Sequence, residues 1–154
     1  MHDFPADPRW LTEHIDRLTR SHLRWTGRAL FPGVAPADWA RVAWESPAIL
    51  VSHGTQADPI LNFGNRTALA QWDMSWDDFT RTPSRLTAEA PERDERARLM
   101  AQVTSQGFIA NYAGIRVSRT GRRFRIHAAT VWNILDSNEL PAGQAATFDR
   151  WDWL

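Results

Sequence analysis

Apolar residues between positions 49 and 72 fall into two short runs, and a helical pattern follows them directly. Ile49–His53 and residues 60–63 have the length and composition of strands, and the Gly, Asp and Pro residues between them are typical of a turn. Asn65 stands where a helix N-cap is expected, immediately before the helical pattern of Arg66–Trp72. This part of the chain is therefore predicted to form strand, turn, strand and capped helix in close succession.

An amphipathic helix is predicted ahead of this segment. Asp7 can cap it, and Pro8 suits the first helical position. Apolar residues then recur on one face of the helix. This repeat spans too few heptads to indicate a coiled coil. The sequence leaves two alternatives open for this face, namely packing on the domain's own sheet and dimerisation. The residues of this face are Leu11, Ile15, Leu18 and Trp25.

The rest of the chain predicts short helices followed by a sheet. Helices are expected at residues 37–45, within 75–85 and at 91–105. Strands are expected at residues 107–118, 123–135 and 143–148. These segments predict an α+β fold, in which an antiparallel sheet of about five strands is flanked by short helices. Residues 1–45 are interpreted as an N-terminal helical extension, and residues 46–154 as one compact domain.

The turn between the two long strands leaves two registers open. If Thr120 and Gly121 form a two-residue turn, Val117 lies opposite Phe124, and one face of the hairpin is apolar along its length. A three-residue loop with Gly121 in the left-handed conformation would instead place Val117 opposite Arg123 and mix the two faces. We prefer the first register because it separates apolar from polar side chains.

The preferred register places two small and two polar residues on the apolar face. Ala113 lies opposite Ala128, which leaves room on a concave sheet, and Asn111 lies opposite Thr130. An amide and a hydroxyl are costly to bury without partners, and Gln144 has the phase to add a third polar group. These features favour a small-molecule pocket. The alternative is that the amide and hydroxyl bond each other or a buried water, and that the alanines admit large rings.

The opposite face of the same hairpin is predicted to be polar. Arg116 would lie opposite Arg125, with Tyr112 and His127 on the same side. Like charges directly opposite each other repel. This face is therefore expected either to be open to water, with solvated arginines, which is the favoured case, or to be matched to acidic groups such as Glu13 and Asp16 of the first helix.

Composition excludes several classes of function. The 154 residues carry 18 basic and 18 acidic side chains and a formal net charge of zero, so no global attraction to nucleic acid or to a membrane surface is expected. The chain has no Cys, which excludes disulfides, thiolate nucleophiles and a cysteinyl-flavin adduct. No signal-peptide pattern or span of membrane length occurs, and a cytoplasmic protein is predicted.

Catalytic motifs are scarce. The nucleophile elbow, the P-loop, the dinucleotide-binding fingerprint and the HExxH pattern are absent, and the histidines have no metal-ligand spacing. His53 and Asp58 are the candidates for a pocket acid or base, but no second catalytic group can be placed beside either. The basic stretch at residues 119–125 lies on a hairpin without a recognition helix, which disfavours nucleic-acid binding. An enzyme is disfavoured as well.

Four segments of the chain, taken in order, resemble a known family. They are SPAILVSHGTQADPILNFGNRTALAQW, WDDFTRTPSRLTAEAPERDER, GFIANYAGIRVSRTGRRFRIHAATVWNI and GQAATFDRW. These segments span residues 46–151 and resemble the MEKHLA domain family, in its stand-alone bacterial form. The hexapeptide that names the family is absent here, so no role tied to that motif is carried over.

The resemblance implies a fold and a function. The family is regarded as related to PAS sensor domains, and its proposed role is sensing through ligand binding. By this analogy Asn65 caps the first helix of the domain, and Gly121 belongs to the hairpin between the long strands. The resemblance implies a non-covalently bound small molecule, such as a flavin or another planar compound, on the inner face of the sheet. The implied ligand-binding residues are Asn111, Ala113, Ala128, Thr130, Trp132, Gln144, Trp72 and Phe79.

Two other functions remain open beside ligand sensing. Some PAS domains have filled cores and serve to dimerise, in which case the N-terminal helix would form the interface. A small enzyme that uses His53 or Asp58 is the third hypothesis. Because the chain ends soon after the last predicted strand, we expect any signal to pass through a homodimer or to a separate output protein.

Overall fold

A computed structural model describes residues 3–154, except for the side chains of residues 90 and 91. The helices are α1 (Pro8–Thr26), α2 (Trp39–Glu45), α3 (Arg66–Trp72), α4 (Trp76–Phe79) and α5 (Ala90–Gln106). The strands are β1 (Ile49–His53), β2 (Leu61–Gly64), β3 (Phe108–Val117), β4 (Arg123–Leu135), β5 (Pro141–Phe148) and β6 (Arg150–Trp153). Short 3₁₀ helices precede α2 at Pro36–Asp38 and α5 at Ser84–Thr87. Within residues 3–154 no helix combines the length and the apolar character that a membrane span needs.

The strands form one antiparallel sheet in the order β2-β1-β5-β4-β3. β6 pairs with the first half of β4, and β5 pairs with the second half. The predicted α+β fold, with an antiparallel sheet flanked by helices, is confirmed. The prediction of about five strands missed β6, because its four residues alternate charged and aromatic side chains one residue after β5 ends.

Helix α1 covers the outer face of the sheet, which is the face turned away from α3, α4 and α5. Asp7 caps the helix through a backbone N–H of the first turn, and Gly27, at φ 72°, ends it. Leu11, Ile15 and Leu18 are fully buried in the cluster that α1 forms with the sheet. Two alternatives were left open for the apolar face of α1. In the structure this face packs on the chain's own sheet.

Two tryptophans join α1 to the sheet. Trp132 of β4 is fully buried, and its Nε1–H donates to the Leu18 carbonyl (3.1 Å). Trp25 donates from Nε1 to the Asn133 carbonyl (2.9 Å) and covers Gly107, where a Cβ would lie 2.5 Å from the Trp25 ring. Helix α1 therefore shares one core with the sheet. The other buried members of this outer cluster are Phe4, Ala40, Ala43, Trp44, Leu50, Phe63, Ile134 and Ala145.

Side-chain caps start the two short helices over the inner face of the sheet. Asn65 caps α3 as predicted, because its Oδ1 accepts a hydrogen bond from the Ala68 N–H (3.0 Å). Ser75 caps α4 in the same way, through the Asp78 N–H (3.1 Å). These local signals fix where each helix begins, and they place α3 and α4 beside the start of β4.

The register preferred for the hairpin of β3 and β4 is wrong. Val117 pairs with Arg123, which is the arrangement that the sequence argument rejected. The connection is a three-residue loop, since the Ser118 N–H bonds to the Arg122 carbonyl and Gly121 adopts φ 85°. A turn of this kind ends on a left-handed residue, and glycine takes that conformation without a steric penalty.

Two bulges interrupt the middle of the same hairpin. β3 carries an extra residue near Asn111, which adopts φ 59°, and β4 carries one near Ala128, which adopts φ 52°. The two insertions compensate, so that the register before and after them is the same. The predicted pairing of Ala113 with Ala128 and of Asn111 with Thr130 therefore does not form.

His14 lies in the outer layer, where the fold holds it neutral. Its Nε2 lies 2.8 Å from the Ser52 hydroxyl, which itself donates to Asn62 Oδ1 (2.5 Å), so the imidazole donates to Ser52. Burial, reinforced by the nearby charge of Arg17, lowers the pKa of His14 to about 4. The folded protein therefore leaves His14 unprotonated at pH values where the unfolded chain would protonate it.

Stability is expected to fall as the pH drops from about 6.5 to about 4. In this window the unfolded chain binds a proton at His14 that the folded protein does not bind, so the free energy of unfolding increases with pH. The difference between pKa 6.5 and about 4 corresponds to about 3 kcal/mol at the acid end. Burial lowers the pKa of His22 and His53 too, so both histidines also make the free energy of unfolding fall as the pH drops.

Urea unfolding followed across this pH range measures the effect. His14→Gln should flatten the pH profile, because the amide donates to Ser52 without titrating. His127→Gln is the control, since His127 is partly exposed and lies beside Asp152. An unchanged slope in the His14 variant would show that the assignment to this residue is wrong.

Candidate functional site

The inner face of the sheet and the helices above it enclose a cavity of about 70 Å³. Residues of all the strands except β6 form one side, and residues of α3, α4, α5 and the 3₁₀ helix before α5 form the other. A buried water needs about 10–15 Å³ of such space. The cavity thus has room for more than one water, and it is far smaller than the roughly 300–1,000 Å³ of pockets for drug-sized ligands.

Most of the cavity wall is apolar. Trp72 of α3 lies edge-on to Phe79 of α4 and to Phe148 of β5, with ring centroids 6.1 and 6.4 Å apart. Such a wall favours the hydrocarbon part of a ligand. The other apolar residues at the cavity are Val51, Leu61, Leu99, Met100, Ile126, Val131, Ala145 and Ala146.

Arg116 brings a guanidinium group to the cavity from β3. Its side chain is buried because Arg116 pairs with Phe124 and shares the inner face with it. Nη1 donates to the Ile115 carbonyl (2.8 Å), and Nη2 donates to the Tyr112 hydroxyl (3.2 Å). The prediction that Arg116 and Tyr112 lie on a water-facing side opposite Arg125 is wrong, because a one-residue change in register moves both to the other face.

Arg96 of α5 brings a second guanidinium group, and its Nη2 donates to Ser84 Oγ (2.9 Å). Burial, and next the positive charge of Arg116, lower the pKa of Arg96 to about 10, while Tyr112 opposes this change. Among residues 3–154 no carboxylate oxygen lies within 4.0 Å of either arginine. Glu95 contacts the Tyr112 hydroxyl instead (3.4 Å). The cavity therefore carries two positive charges without a paired negative one.

Gln144 connects the cavity to α5. Its side chain is buried, and Nε2 lies within hydrogen-bond distance of the Met100 carbonyl (3.2 Å), Thr104 Oγ1 (3.0 Å) and Asn133 Oδ1 (3.0 Å). The two N–H groups of the amide are shared among these three acceptors. Gln144 thus holds β5 to α5 at the edge of the cavity.

Two polar atoms of cavity residues, His53 Nε2 and Trp72 Nε1, have no hydrogen-bond partner in the described part of the chain. His53 donates from Nδ1 to the Gly54 carbonyl (2.9 Å), which leaves Nε2 as an acceptor in the neutral ring. Burial lowers the pKa of His53; the Gly54 carbonyl opposes this, the charge of Arg96 adds to it, and the nearby Gln144 side chain opposes it. An unpaired buried polar group costs about 1–3 kcal/mol. Both atoms therefore favour water or a polar ligand group in the cavity.

A surface groove lies outside the cavity, between the loop at residues 54–59, α5 and the start of β5. Its volume is about 590 Å³. His53, Arg96, Met100 and Gln144 line both the groove and the cavity. These four side chains therefore stand between the cavity and the surface groove.

Three of the residues predicted to bind a ligand line this cavity. Trp72 and Phe79 lie on the helical side as expected, and Gln144 lies on the sheet. All three are buried, with exposed fractions of 3%, 0% and 7%. The structure therefore brings the helical part of the predicted site together with one of its polar groups.

The other five residues of the predicted site lie elsewhere. Asn111 and Ala113 line a shallow surface depression, and Ala128 is exposed. Trp132 packs on the outer face beneath α1, and Thr130 is not among the residues that line the cavity. The bulges and the changed register account for these positions.

Arg96 and Arg116 are cavity residues that the sequence argument missed. The signal for Arg96 was visible, because it precedes Leu99 by three residues and Val103 by seven and so shares their buried helix face. Arg116 falls on the inner face in the register that was rejected. For both Arg96 and Arg116, the sequence signal for a place in the cavity was a charged residue among apolar residues on one face of its element.

Comparison with known proteins gives the family. The sequence profile of the MEKHLA domain matches residues 12–153, and the match begins inside α1. The homeobox-leucine zipper protein ATHB-9 of Arabidopsis thaliana is 29% identical over 156 residues, which cover 97% of this chain and 18% of that protein. ATHB-14 of the same plant is 27% identical over 155 residues, with the same coverage. The chain thus spans less than a fifth of the length of these relatives.

Solved PAS and light-oxygen-voltage domains share the fold. A PAS domain from Colwellia psychrerythraea has a TM-score of 0.63 at 12% identity, over 75% of this chain and 92% of that chain. The PAS domain of a LuxR-family transcriptional regulator from Burkholderia thailandensis, determined in complex with ethanol, has a TM-score of 0.56 at 18% identity, over 76% and 97%. An RNA-binding light-oxygen-voltage receptor has a TM-score of 0.59 at 12% identity, over 77% and 34%.

At these identities the structural neighbours show the fold alone, whereas the sequence match extends over nearly the whole chain. The fold is that of PAS domains. With the match across residues 12–153, this chain belongs to the MEKHLA domain family.

Proposed function

We propose that this chain is a sensory module that binds a small molecule non-covalently in the cavity and signals through contacts with another protein. The observation that carries the proposal is a mainly apolar space between sheet and helices at which His53 Nε2 and Trp72 Nε1 lack partners in the described chain. Small-molecule sites combine an apolar lining with a few convergent polar groups. The cavity has this composition.

The size of the cavity favours a ligand with few atoms. Its volume of about 70 Å³ is roughly half of that of the 150 Å³ engineered cavity that binds benzene. The Burkholderia PAS domain, which shares the fold, was determined in complex with ethanol, another small molecule. A flavin or another planar cofactor would require the walls to move apart, and is for that reason a weaker candidate.

Helix α5 is the element through which occupancy of the cavity would reach the surface. Arg96 and Met100 of α5 line the cavity, and Gln144 ties β5 to α5 through Met100 and Thr104. A ligand that contacts Arg96 or Gln144 favours one position of α5 over another, which is the requirement for a change in conformation on binding. The exposed side of α5 is then the surface that a partner protein would read.

The two other functions considered from the sequence have less support. The apolar face of α1 already covers the sheet, so dimerisation through that face would require α1 to leave it. For catalysis, Asp58 forms an ion pair with Arg85 (3.1 Å), and His53 forms no ion pair within residues 3–154. His53 does present Nε2 to the cavity, but no carboxylate of the described chain is paired with it, and Asp58 is held by Arg85 outside the cavity lining.

Ala146→Leu is expected to abolish ligand binding and to leave the fold intact. Ala146 lines the cavity beside Val131, and the three added carbon atoms would fill much of a space of about 70 Å³. Native mass spectrometry of freshly purified protein measures the occupancy. Wild-type protein should carry a molecule of low mass that the variant lacks.

Ala101→Leu is the matched control, because Ala101 is exposed on α5 and the same substitution there leaves the cavity unchanged. The proposal fails if wild-type protein carries no molecule and shows no thermal shift with any member of a small-molecule panel. A more stable Ala146→Leu variant would then identify the cavity as a packing defect.

A further inference from the structure

We infer that the ligand of this cavity is a short-chain organic carboxylate, with its carboxylate group held by Arg96 and Arg116 and its hydrocarbon part against the aromatic wall. This inference rests on the proposed function, because it names the chemical class of the ligand for the same cavity. Three independent features of the cavity carry it: the charge, the free hydrogen-bond donors and the shape of the apolar space.

The first feature is an unbalanced charge. Arg96 and Arg116 line one small cavity, and arginine stays protonated in proteins. Among residues 3–154 neither forms an ion pair, and Glu95 reaches only the hydroxyl of Tyr112. Charges removed from water are stabilised by an opposite charge that is bonded to them. An anion in the cavity would supply that charge to both arginines.

The second feature is the number of free donors. A guanidinium group has five N–H groups in a fork that matches the geometry of a carboxylate. Arg116 uses donors on the Ile115 carbonyl and the Tyr112 hydroxyl, and Arg96 uses one on Ser84. The remaining N–H groups have no acceptor within the described chain. A carboxylate, with two oxygens that each accept more than one bond, fits this surplus of donors.

The third feature is the apolar wall, which distinguishes an organic acid from an inorganic anion. Trp72, Phe79 and Phe148 line the same space as the arginines. Inorganic phosphate would bond to the arginines but would lose its hydration against these rings without compensation. A hydrocarbon chain gains free energy there, at about 25 cal/mol per Å² of apolar surface buried. The ligand therefore has one charged end and one apolar end.

The size of the space sets the length of the acid. A space of about 70 Å³ is roughly half of the 150 Å³ cavity that takes up benzene, so it holds the hydrocarbon part of a short acid such as butyrate. Because Arg96 also lines the outer groove, the charged end lies toward the mouth of the cavity. Trp72 Nε1, which has no partner in the described chain, is a further donor for a carboxylate oxygen.

Isothermal titration of the full chain with butyrate, butyramide and inorganic phosphate tests the inference. Butyramide has the shape of butyrate without its charge. Butyrate should bind at least tenfold more tightly than butyramide, since hydrogen bonds to charged groups are the stronger ones. Phosphate should bind more weakly than butyrate, because it gains nothing from the apolar wall. Equal affinity for phosphate and butyrate would overturn the assignment to an organic acid.

Arg96→Gln should weaken butyrate binding about tenfold or more and leave butyramide binding unchanged. Arg98→Gln is the matched control on the same helix, because Arg98 is exposed and does not line the cavity. Arg116→Gln should act as Arg96→Gln does, and its circular dichroism spectrum shows whether this buried substitution still folds. If Arg116→Gln does not fold, Arg96→Gln still tests the inference, because Arg96 is only partly buried and its substitution is the milder one.

The outcomes separate the inference from the proposed function. If butyrate and butyramide bind equally and Arg96→Gln changes neither, the cavity binds ligands but the choice of an anion is wrong. If neither compound binds, and native mass spectrometry finds no retained molecule that Ala146→Leu displaces, the proposed function fails as well. Selective binding of butyrate that is lost in Arg96→Gln supports both.

Discussion

Replacing Asn65 by alanine is expected to lower the free energy of unfolding by about 3–5 kcal/mol. Asn65 is fully buried. Its Oδ1 accepts from the Ala68 N–H (3.0 Å) and the Leu50 N–H (3.3 Å), and Nδ2 donates to the carbonyls of Ala43 (3.0 Å) and Ala48 (2.8 Å). Alanine removes the helix cap and leaves four buried or partly buried backbone groups without these partners. Each such group costs about 1–3 kcal/mol, and the contributions of neighbours do not add in full.

Urea unfolding followed by tryptophan fluorescence measures this loss of stability. Asn138→Ala is the matched control, because Asn138 lies exposed in the loop before β5, and a surface substitution of this kind changes stability by about 0.5 kcal/mol or less. A loss below about 1 kcal/mol in Asn65→Ala would contradict the role given to this side chain.

The second large effect is expected for Trp132→Ala, which should destabilise the protein by about 3–5 kcal/mol. Trp132 is fully buried between β4 and α1, and its ring lies 4.9 Å from that of His22, centroid to centroid. The substitution leaves a cavity between helix and sheet, and it removes the N–H group that donates a hydrogen bond to the Leu18 carbonyl. We therefore expect α1 to loosen before the rest of the domain unfolds.

Limited proteolysis within α1, together with urea unfolding, measures both consequences. Trp132→Phe should cost less, because it keeps a six-membered aromatic ring and loses the pyrrole ring with its N–H. Trp153→Ala is the matched control, since Trp153 is 40% exposed at the end of β6. Equal losses in Trp132→Ala and Trp153→Ala would show that the contact between α1 and the sheet contributes little to stability.

The position of each element was largely predictable because the signals are local. β1 and α3 have the predicted limits, and α1 begins at Pro8 after its Asp7 cap. A cap, a proline or a periodic apolar face acts over one or two turns of chain, so a single sequence contains the information. Strand β6 was not predicted, because its four residues, of which two are charged, carry too little periodic signal.

The candidate site was predicted only in part, because it depends on the register of one hairpin. Trp72 and Phe79 were found from their helices, whose faces follow from spacing. Asn111 and Ala113 were placed wrongly on the sheet, since the loop at Gly121 has one residue more than assumed. A shift of one residue exchanges the two faces of a strand. That exchange is why Arg116 was predicted to face water and lies in the cavity.

By itself the sequence determined the helix caps, the order of the elements, the apolar face of α1 and the resemblance to the family that the match confirms. The tertiary structure alone decided that α1 packs on its own sheet, where the bulges lie, and that Arg96 and Arg116 meet in one cavity. The physical reason is distance along the chain. Caps and periodicity involve neighbouring residues, whereas the two arginines are brought together by the packing of α5 on β3, and no local pattern specifies that contact.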